Sequence, residues 1–156
     1  MLKVDIPGFG PIEIDYLVSD FTGTLSQDGV LIQGVADLIQ MLSRVLEIRV
    51  LTFDTFGRAE SELRGLPCFV TILSGERGDE QKYDYVAALG RERVIAIGNG
   101  ANDRLMLEAA RIGIAVIEAE GASAATVASA DIVVRDIASA LGLLLDSRRL
   151  VATLRR

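Results

Sequence analysis

The sequence lacks histidine and tryptophan, and it has one cysteine and three prolines among 156 residues. Without histidine, the chain has no imidazole for acid–base catalysis and none of the commonest zinc ligands. One cysteine cannot form a disulfide within the chain, which is typical of proteins in a reducing compartment. We therefore expect a cytoplasmic protein whose chemistry does not use histidine.

Positive charge and long apolar runs are also scarce. Lysine and arginine total 16 against 22 acidic residues, which gives a net charge of −6. An acidic chain has no long-range attraction for a phosphate backbone, so we expect no nucleic-acid partner. No uncharged apolar run approaches the ~18–20 residues of a membrane span, and the first residues do not resemble a signal peptide, so we expect no membrane partner. A small phosphorylated ligand stays compatible with this composition.

The residues that are present favour one packed domain. Half of the sequence is hydrophobic, and its length is near the ~100–150 residues of a common domain. We predict a single domain over residues 1–156. The mean hydropathy of +0.36 is high for a small monomer, which predicts a homo-oligomer that covers some apolar surface.

Apolar segments of strand length alternate along the chain with segments of helical period. Strands are predicted at 2–6, 12–19, 48–51, 69–72, 94–97, 112–117 and 132–134. Helices are predicted at 35–46, 58–64, 80–89, 105–110, 122–128 and 137–145. This alternation predicts an α/β, doubly wound, Rossmann-like three-layer sandwich with a mainly parallel sheet. Residues 2–11 are predicted to add a strand and a turn at the edge of that sheet.

Polar, glycine-containing stretches follow four of the predicted strands, at 20–25, 52–54, 74–75 and 98–103. Ligands of such sheets bind beyond the carboxyl ends of the strands. The sequence therefore predicts one site that is assembled from these four strand ends.

Asp20 is the first candidate in this site. It directly follows an apolar strand, and Thr22-Gly23-Thr24 comes next. Gly23 lets the chain bend so that successive amides form an anion-binding nest, and a carboxylate facing that nest can attack phosphorus. The alternative is a turn without a ligand.

The stretch GNGAND at 98–103 is the second candidate. Asp103, with Asn99, can face Asp20 across the strand ends and bind Mg²⁺, which prefers one or two carboxylates together with waters and phosphate. The alternative is that Asn102 or Asp103 caps the following helix. The stretch does not match the spaced dinucleotide fingerprint, which excludes NAD.

Thr52 and Lys82 complete the predicted site. Thr52 can donate a hydrogen bond to a phosphoryl oxygen, or it can simply end a strand. Lys82 can offset the repulsion between a carboxylate and a phosphate dianion, although an isolated lysine is more often a solvated surface charge.

The ordered set DFTGTL at 20–25, Thr52, Lys82 and GNGAND at 98–103 resembles the haloacid dehalogenase superfamily of phosphohydrolases. DFTGTL is similar to the DKTGT motif of P-type ATPases, and TFD at 52–54 is similar to their TGD motif. The resemblance extends over residues 12–150 and is strongest to small soluble proteins related to the ATPase phosphorylation domain.

This resemblance implies a Mg²⁺-dependent phosphohydrolase that acts on a small phosphorylated substrate through an aspartyl phosphate on Asp20. The implied catalytic residues are Asp20, Thr22, Thr52 and Lys82. The implied metal ligands are Asp20, the Thr22 backbone carbonyl, Asn99 and Asp103. The implied phosphate-binding residues are Gly23, Thr52, Phe53, Lys82 and Asn102.

Two departures from the family pattern predict slow turnover. Thr22 stands where most phosphatases of the superfamily have an acid–base aspartate, and proton transfer by such a group contributes ~10²–10⁴-fold to a rate. Asn99 stands where the usual motif has an aspartate, which removes one negative charge from the metal site.

Residues 26–51 have room for a short flap, a helix and a strand, so we predict no cap domain. Two alternatives stay open: a non-catalytic or regulatory binding domain, and a signalling domain in which a partner kinase phosphorylates Asp20.

Overall fold

The computed structural model of the chain describes residues 1–54 and 57–156. The strands of this part are β1 (Leu2–Ile6), β2 (Gly10–Ile14), β3 (Tyr16–Asp20), β4 (Ser26–Gln27), β5 (Val30–Leu31), β6 (Glu47–Thr52), β7 (Phe69–Ile72), β8 (Val94–Gly98), β9 (Ile112–Val116) and β10 (Ile132–Val134). The α-helices are α1 (Val35–Leu42), α2 (Arg58–Leu63), α3 (Gly78–Leu89), α4 (Arg104–Ala109), α5 (Ala124–Ser129), α6 (Ile137–Leu145) and α7 (Ser147–Leu154).

Six strands form the main sheet in the order β10-β9-β8-β3-β6-β7, and all of the neighbouring pairs are parallel. The central strands β3, β8 and β9 are almost wholly buried, because helices cover both faces of a parallel sheet. The predicted α/β, doubly wound architecture is confirmed.

Successive side chains of each strand enter two separate cores. Leu17 packs in a core with residues of α1, α2, α6 and α7, whereas Val18 packs in a core with residues of α3 and α4. This alternation follows from the two-residue period of a strand. Both faces of the sheet are thereby fixed, and so is the position of the strand ends that carry polar residues.

The predicted edge strand at residues 2–6 is wrong in its partner. β1 pairs antiparallel with β2 in a separate two-stranded sheet. Ile6, Ile12 and Ile14 bury their side chains in the core that contains α7, so the hairpin covers the core instead of extending the main sheet. The predicted strand at 12–19 is accordingly two strands that meet at Asp15.

The predicted helix at 35–46 is shorter in the structure. α1 ends at Leu42, and the amides of Val45 and Leu46 both donate to the Leu42 carbonyl in a closing turn. Strands 69–72 and 132–134 and helix 137–145 have the predicted bounds.

The predicted flap is confirmed as the antiparallel pair β4 and β5. Two hydrogen bonds attach it to α2: Arg58 Nη1 donates to the Asp28 carbonyl at 3.0 Å, and the Leu31 amide donates to Glu62 Oε2 at 2.9 Å. The flap, α1 and their connections fill the chain between β3 and β6, so no cap domain is inserted in this described segment.

No helix in the described ranges is long and apolar enough to cross a bilayer. Phe69 and Ile72 expose apolar side chains on β7, an edge strand of the main sheet. The homo-oligomer inferred from the hydropathy stays a prediction.

Candidate active site

A cleft of about 390 Å³ opens at the carboxyl ends of the central strands. Its lining residues are Asp20, Thr22, Thr52, Phe53, Asn99, Gly100, Asn102 and Glu120. Asp20 ends β3 and Thr52 ends β6, while Asn99 follows β8, so the parallel sheet itself brings these residues together. A larger cavity of about 660 Å³ lies at the amino ends of the same strands, beside Tyr16 and Glu47.

An ion triad of Asp20, Lys82 and Asp103 lies beneath the cleft. Lys82 Nζ is 2.7 Å from Asp20 Oδ1 and 2.6 Å from Asp103 Oδ1. Lys82 and Asp103 are fully buried, and Asp20 is 6% exposed. Lys82 comes from α3, on the Val18 face of the sheet, so a helix distant in sequence delivers the ammonium to the strand ends. This burial excludes the alternative that Lys82 is a solvated surface charge.

Burial dominates the electrostatics of the triad. Burial, together with the charge of Asp103, raises the pKa of Asp20 from 3.8 to about 7, although Lys82 opposes this rise. Burial lowers the pKa of Lys82, but the Asp20 and Asp103 carboxylates raise it to a net value above its usual range. The amine therefore stays an ammonium ion, and one positive charge serves two buried carboxylates.

Asp103 shapes the loop that follows β8. Its Oδ2 accepts hydrogen bonds from the amides of Asn99 and Gly100 at 3.0 and 2.9 Å. A Cβ added at Gly98 would lie 2.5 Å from Asp103 Cγ, so only glycine lets the carboxylate approach this closely. Asp103 does not line the cleft, and its contacts favour positioning of Lys82 and of the loop over direct metal ligation.

The turn after Asp20 differs from the predicted nest. The Gly23 amide donates to the Ser26 carbonyl at 3.1 Å, and the Thr24 amide donates to the Phe21 carbonyl at 3.2 Å. These amides donate within the turn itself, and phosphate binding by Gly23 stays a prediction. Gly23 is needed for another reason: its φ is +75°, and an added Cβ would collide with Glu120 and Asn99.

Several hydroxyl and amide groups complete the cleft. Thr24 Oγ1 lies 3.3 Å from Asp20 Oδ2 and 3.2 Å from Asn99 Oδ1, and so links the nucleophile candidate to the loop after β8. Thr52 is buried, while Thr22 and Asn102 are exposed at the cleft. These groups can donate hydrogen bonds to an anion above Asp20.

The donor atoms of the cleft suit a small, hard cation. Asp20, the Thr22 carbonyl and Asn99 offer oxygen donors, which Mg²⁺ prefers, and Mg²⁺ requires only one or two carboxylates because it keeps several waters. With Asp20 ionised, the buried triad carries one net negative charge, which favours a cation at the cleft. In the described part of the chain, no three acidic, cysteine or histidine side chains are already clustered as a metal site.

The structure brings most of the predicted site residues into one place. The segment at 74–75 is not among the cleft residues; the Ser74 carbonyl instead accepts a hydrogen bond from Gln81. Sequence reasoning missed Thr24 and Glu120. Thr24 lies inside the predicted site stretch 20–25, whereas Glu120 follows β9, whose carboxyl end is not part of the predicted site.

The fold and the cleft define a class: doubly wound α/β proteins with a buried carboxylate–lysine pair at the ends of their central strands. A family model for haloacid dehalogenase-like hydrolases matches residues 85–139. An uncharacterized protein of Methanocaldococcus jannaschii is 56% identical over 64 residues, which are 41% of this chain and 69% of that protein.

Three solved structures share the fold. The cobalt-bound deoxy-D-mannose-octulosonate 8-phosphate phosphatase of Haemophilus influenzae superposes with a TM-score of 0.71 at 14% identity, over 92% of this chain and 94% of that one. The corresponding phosphatase of Moraxella catarrhalis, in complex with magnesium ion, phosphate ion and KDO, gives 0.67 at 15% identity, over 91% and 94%. The catalytic domain of the CPx-ATPase CopB-B gives 0.61 at 25% identity, over 74% of this chain and 46% of that one.

The match over residues 85–139 and the shared fold bear out the resemblance to the haloacid dehalogenase-like hydrolases.

Proposed function

We propose that the protein is a Mg²⁺-dependent phosphohydrolase that acts through an aspartyl phosphate on Asp20. The observation that carries this proposal is the buried pair of Asp20 and Lys82, 2.7 Å apart, beside a polar cleft at the strand ends. An ammonium ion at this position offsets the repulsion between a carboxylate and an approaching phosphate dianion. Phosphoryl transfer depends mainly on such positioning and charge neutralisation.

In the first step, an Asp20 oxygen attacks phosphorus, and the bond from phosphorus to the leaving-group oxygen breaks. Lys82 orients the Asp20 carboxylate and balances its charge. Thr52 and Asn102 donate hydrogen bonds to phosphoryl oxygens, and Phe53 lines the cleft beside Thr52. In the second step, water attacks phosphorus, the bond from phosphorus to the Asp20 oxygen breaks, and the water protons leave with the inorganic phosphate, which regenerates the Asp20 carboxylate.

Mg²⁺, when bound, supplies charge stabilisation for the phosphoryl oxygens. We assign Asp20, the Thr22 carbonyl and Asn99 as groups that hold it. Asp103 is a positioning residue, since its two oxygens bind Lys82 and the amides after β8. Thr22 cannot exchange protons near neutral pH, so we expect turnover to be slow.

The substrate class is a small phosphorylated molecule. The cleft volume of about 390 Å³ is within the range of small-molecule sites. The two octulosonate 8-phosphate phosphatases with this fold are phosphatases of a phosphorylated sugar by name, which supports the same broad class. We further propose that residues 1–156 work as one domain in the cytoplasm.

The test is magnesium-dependent release of phosphate from a small aryl or acyl phosphate. Asp20→Asn keeps the shape of the side chain but removes the nucleophile, so we expect its rate to fall to the rate without protein. Asp37→Asn on α1 is the matched control, because Asp37 is exposed and outside the cleft. An Asp20→Asn rate equal to that of the unmodified protein would refute the proposal.

Thr22 and Asn99 favour a second candidate, a regulatory binding domain without efficient turnover. Both candidates expect Mg²⁺ with beryllium fluoride to raise the Tm, because a ligand that binds only the folded state stabilises it. The regulatory domain is supported if this stabilisation occurs while no tested phosphate ester is hydrolysed.

A further inference from the structure

Glu120 is a third carboxylate at the cleft, and the proposed mechanism does not use it. It follows β9 and lines the cleft with Asp20, Thr22 and Asn99. A Cβ added at Gly23 would lie 2.5 Å from Glu120 Oε2 and 2.6 Å from Asn99 Nδ2. The carboxylate oxygen and the Asn99 amide are therefore near neighbours, packed against the turn that follows Asp20.

The Asn99 side chain holds the segment that presents Glu120. Asn99 Nδ2 donates a hydrogen bond to the Gly121 carbonyl at 3.0 Å. The Ser123 amide also donates to the main-chain carbonyl of Asn99 at 2.8 Å. An aspartate at position 99 could not donate to the Gly121 carbonyl and would repel both that oxygen and Glu120. The amide at position 99 therefore allows a carboxylate at position 120, whereas an aspartate at position 99 would disfavour it.

Glu120 changes the net charge of the site. Asp20, Asp103 and Lys82 together carry one net negative charge, and Glu120 adds a second. Two negative charges balance one divalent cation. Across residues 1–54 and 57–156, no protein group forms a hydrogen bond or ion pair with the Glu120 carboxylate, which leaves both of its oxygens available.

We propose that Glu120 supplies the second carboxylate of the divalent-cation site and so replaces the charge that Asn99 does not carry. Glu120 binds the cation or a water of its hydration shell, while Asn99 contributes an oxygen and anchors the Glu120 segment. This inference rests on the proposed function, since it concerns the cation of the same site. It predicts metal affinity, which can be measured without turnover.

The experiment measures the Kd for Mn²⁺ by electron paramagnetic resonance in the absence of substrate. Competition with Mg²⁺ then shows that both ions bind the same site. We expect Glu120→Gln to raise the Kd for Mn²⁺ by about 10- to 100-fold, the range for loss of a group that supports a metal site. Glu108→Gln is the control, because it removes the same charge from an exposed position on α4. Its Kd should equal that of the unmodified protein.

A second variant tests the exchange of charge between the two positions. Asn99→Asp in the Glu120→Gln background returns one carboxylate to the site without the repulsion from Glu120, so most of the lost affinity should return. An unchanged Kd in Glu120→Gln overturns the inference, as does a double variant that binds no better than Glu120→Gln alone. A fall in phosphate release at constant Kd also overturns it, since Glu120 would then act on substrate or on protons.

These outcomes separate the inference from the proposed function. A protein that binds Mn²⁺ through Glu120 but hydrolyses no phosphate ester refutes the function and leaves the inference standing. A protein that hydrolyses phosphate esters with the same metal affinity in Glu120→Gln does the reverse.

Discussion

Replacement of Lys82 is the sharpest test of how the site is held together. Lys82 Nζ lies within 2.7 Å of both Asp20 and Asp103, and the side chain is fully buried. Lys82→Met keeps most of the volume but leaves two buried carboxylates without their cation. Removal of one partner from a buried ion pair lowers the free energy of unfolding by about 3–5 kcal/mol, and we expect a loss of this size at pH 8.

The sequence supplies a matched control, because Lys3 is the only other lysine. Lys3 pairs with Glu13 at 2.8 Å, and both side chains are more than half exposed. Exposed pairs contribute about 0–1 kcal/mol, so Lys3→Met should leave stability nearly unchanged.

Urea denaturation followed by circular dichroism, with EDTA present, measures both variants. The loss in Lys82→Met should shrink at pH 5, because protonation of Asp20 then removes one of the two unpaired charges. Addition of Asp20→Asn to Lys82→Met should recover part of the loss at pH 8. A loss below about 1 kcal/mol at pH 8 would contradict the triad, because it is the value of an exposed pair.

Two further predictions concern Asp20 and Thr22. The pKa of Asp20 is raised from 3.8 to about 7, so the metal-free folded state keeps a proton at a pH where the unfolded state has lost it. The stability that this proton contributes is complete below pH 3.8 and disappears as the pH rises to about 7. The loss in the free energy of unfolding is on the order of 4 kcal/mol. Urea titrations in EDTA should show this decline in the unmodified protein but not in Asp20→Asn. Equal pH dependence of stability in both proteins would contradict the burial argument. Thr22→Asp places an acid–base group at an exposed cleft position, so phosphate release should accelerate by up to about 10²-fold. An unchanged or lower rate would show that the cleft is not arranged for proton transfer.

Much of the fold follows from patterns that the sequence displays. Short apolar runs at 94–97 and 112–117 are typical of strands buried on both faces, and buried parallel strands require helices between them. The site follows from the same logic, since Asp20 and Thr52 end their strands and Asn99 directly follows β8. Lys82 is harder to predict, because the packing of α3 against the sheet, and not a local pattern, buries its ammonium ion.

The failures have physical causes that local patterns do not reveal. The partner of β1 depends on where Ile6, Ile12 and Ile14 are buried, which is a tertiary choice. The glycine-containing stretch at 20–25 indicates a tight turn but does not reveal which amides donate within it, such as the Gly23 amide to the Ser26 carbonyl. Glu120 was missed because its proximity to Asn99 arises from the segment after β9, which returns to the cleft through the Asn99–Gly121 hydrogen bond.

The phosphoenzyme itself tests the central claim most directly. The protein is mixed with a small acyl phosphate and Mg²⁺, quenched, and treated with borohydride, which reduces an aspartyl phosphate to homoserine. Peptide mass spectrometry then locates the modified position. The account predicts homoserine at position 20, dependent on Mg²⁺ and absent from Asp20→Asn; phosphate release with no modification at position 20, or with modification at another aspartate, would contradict it.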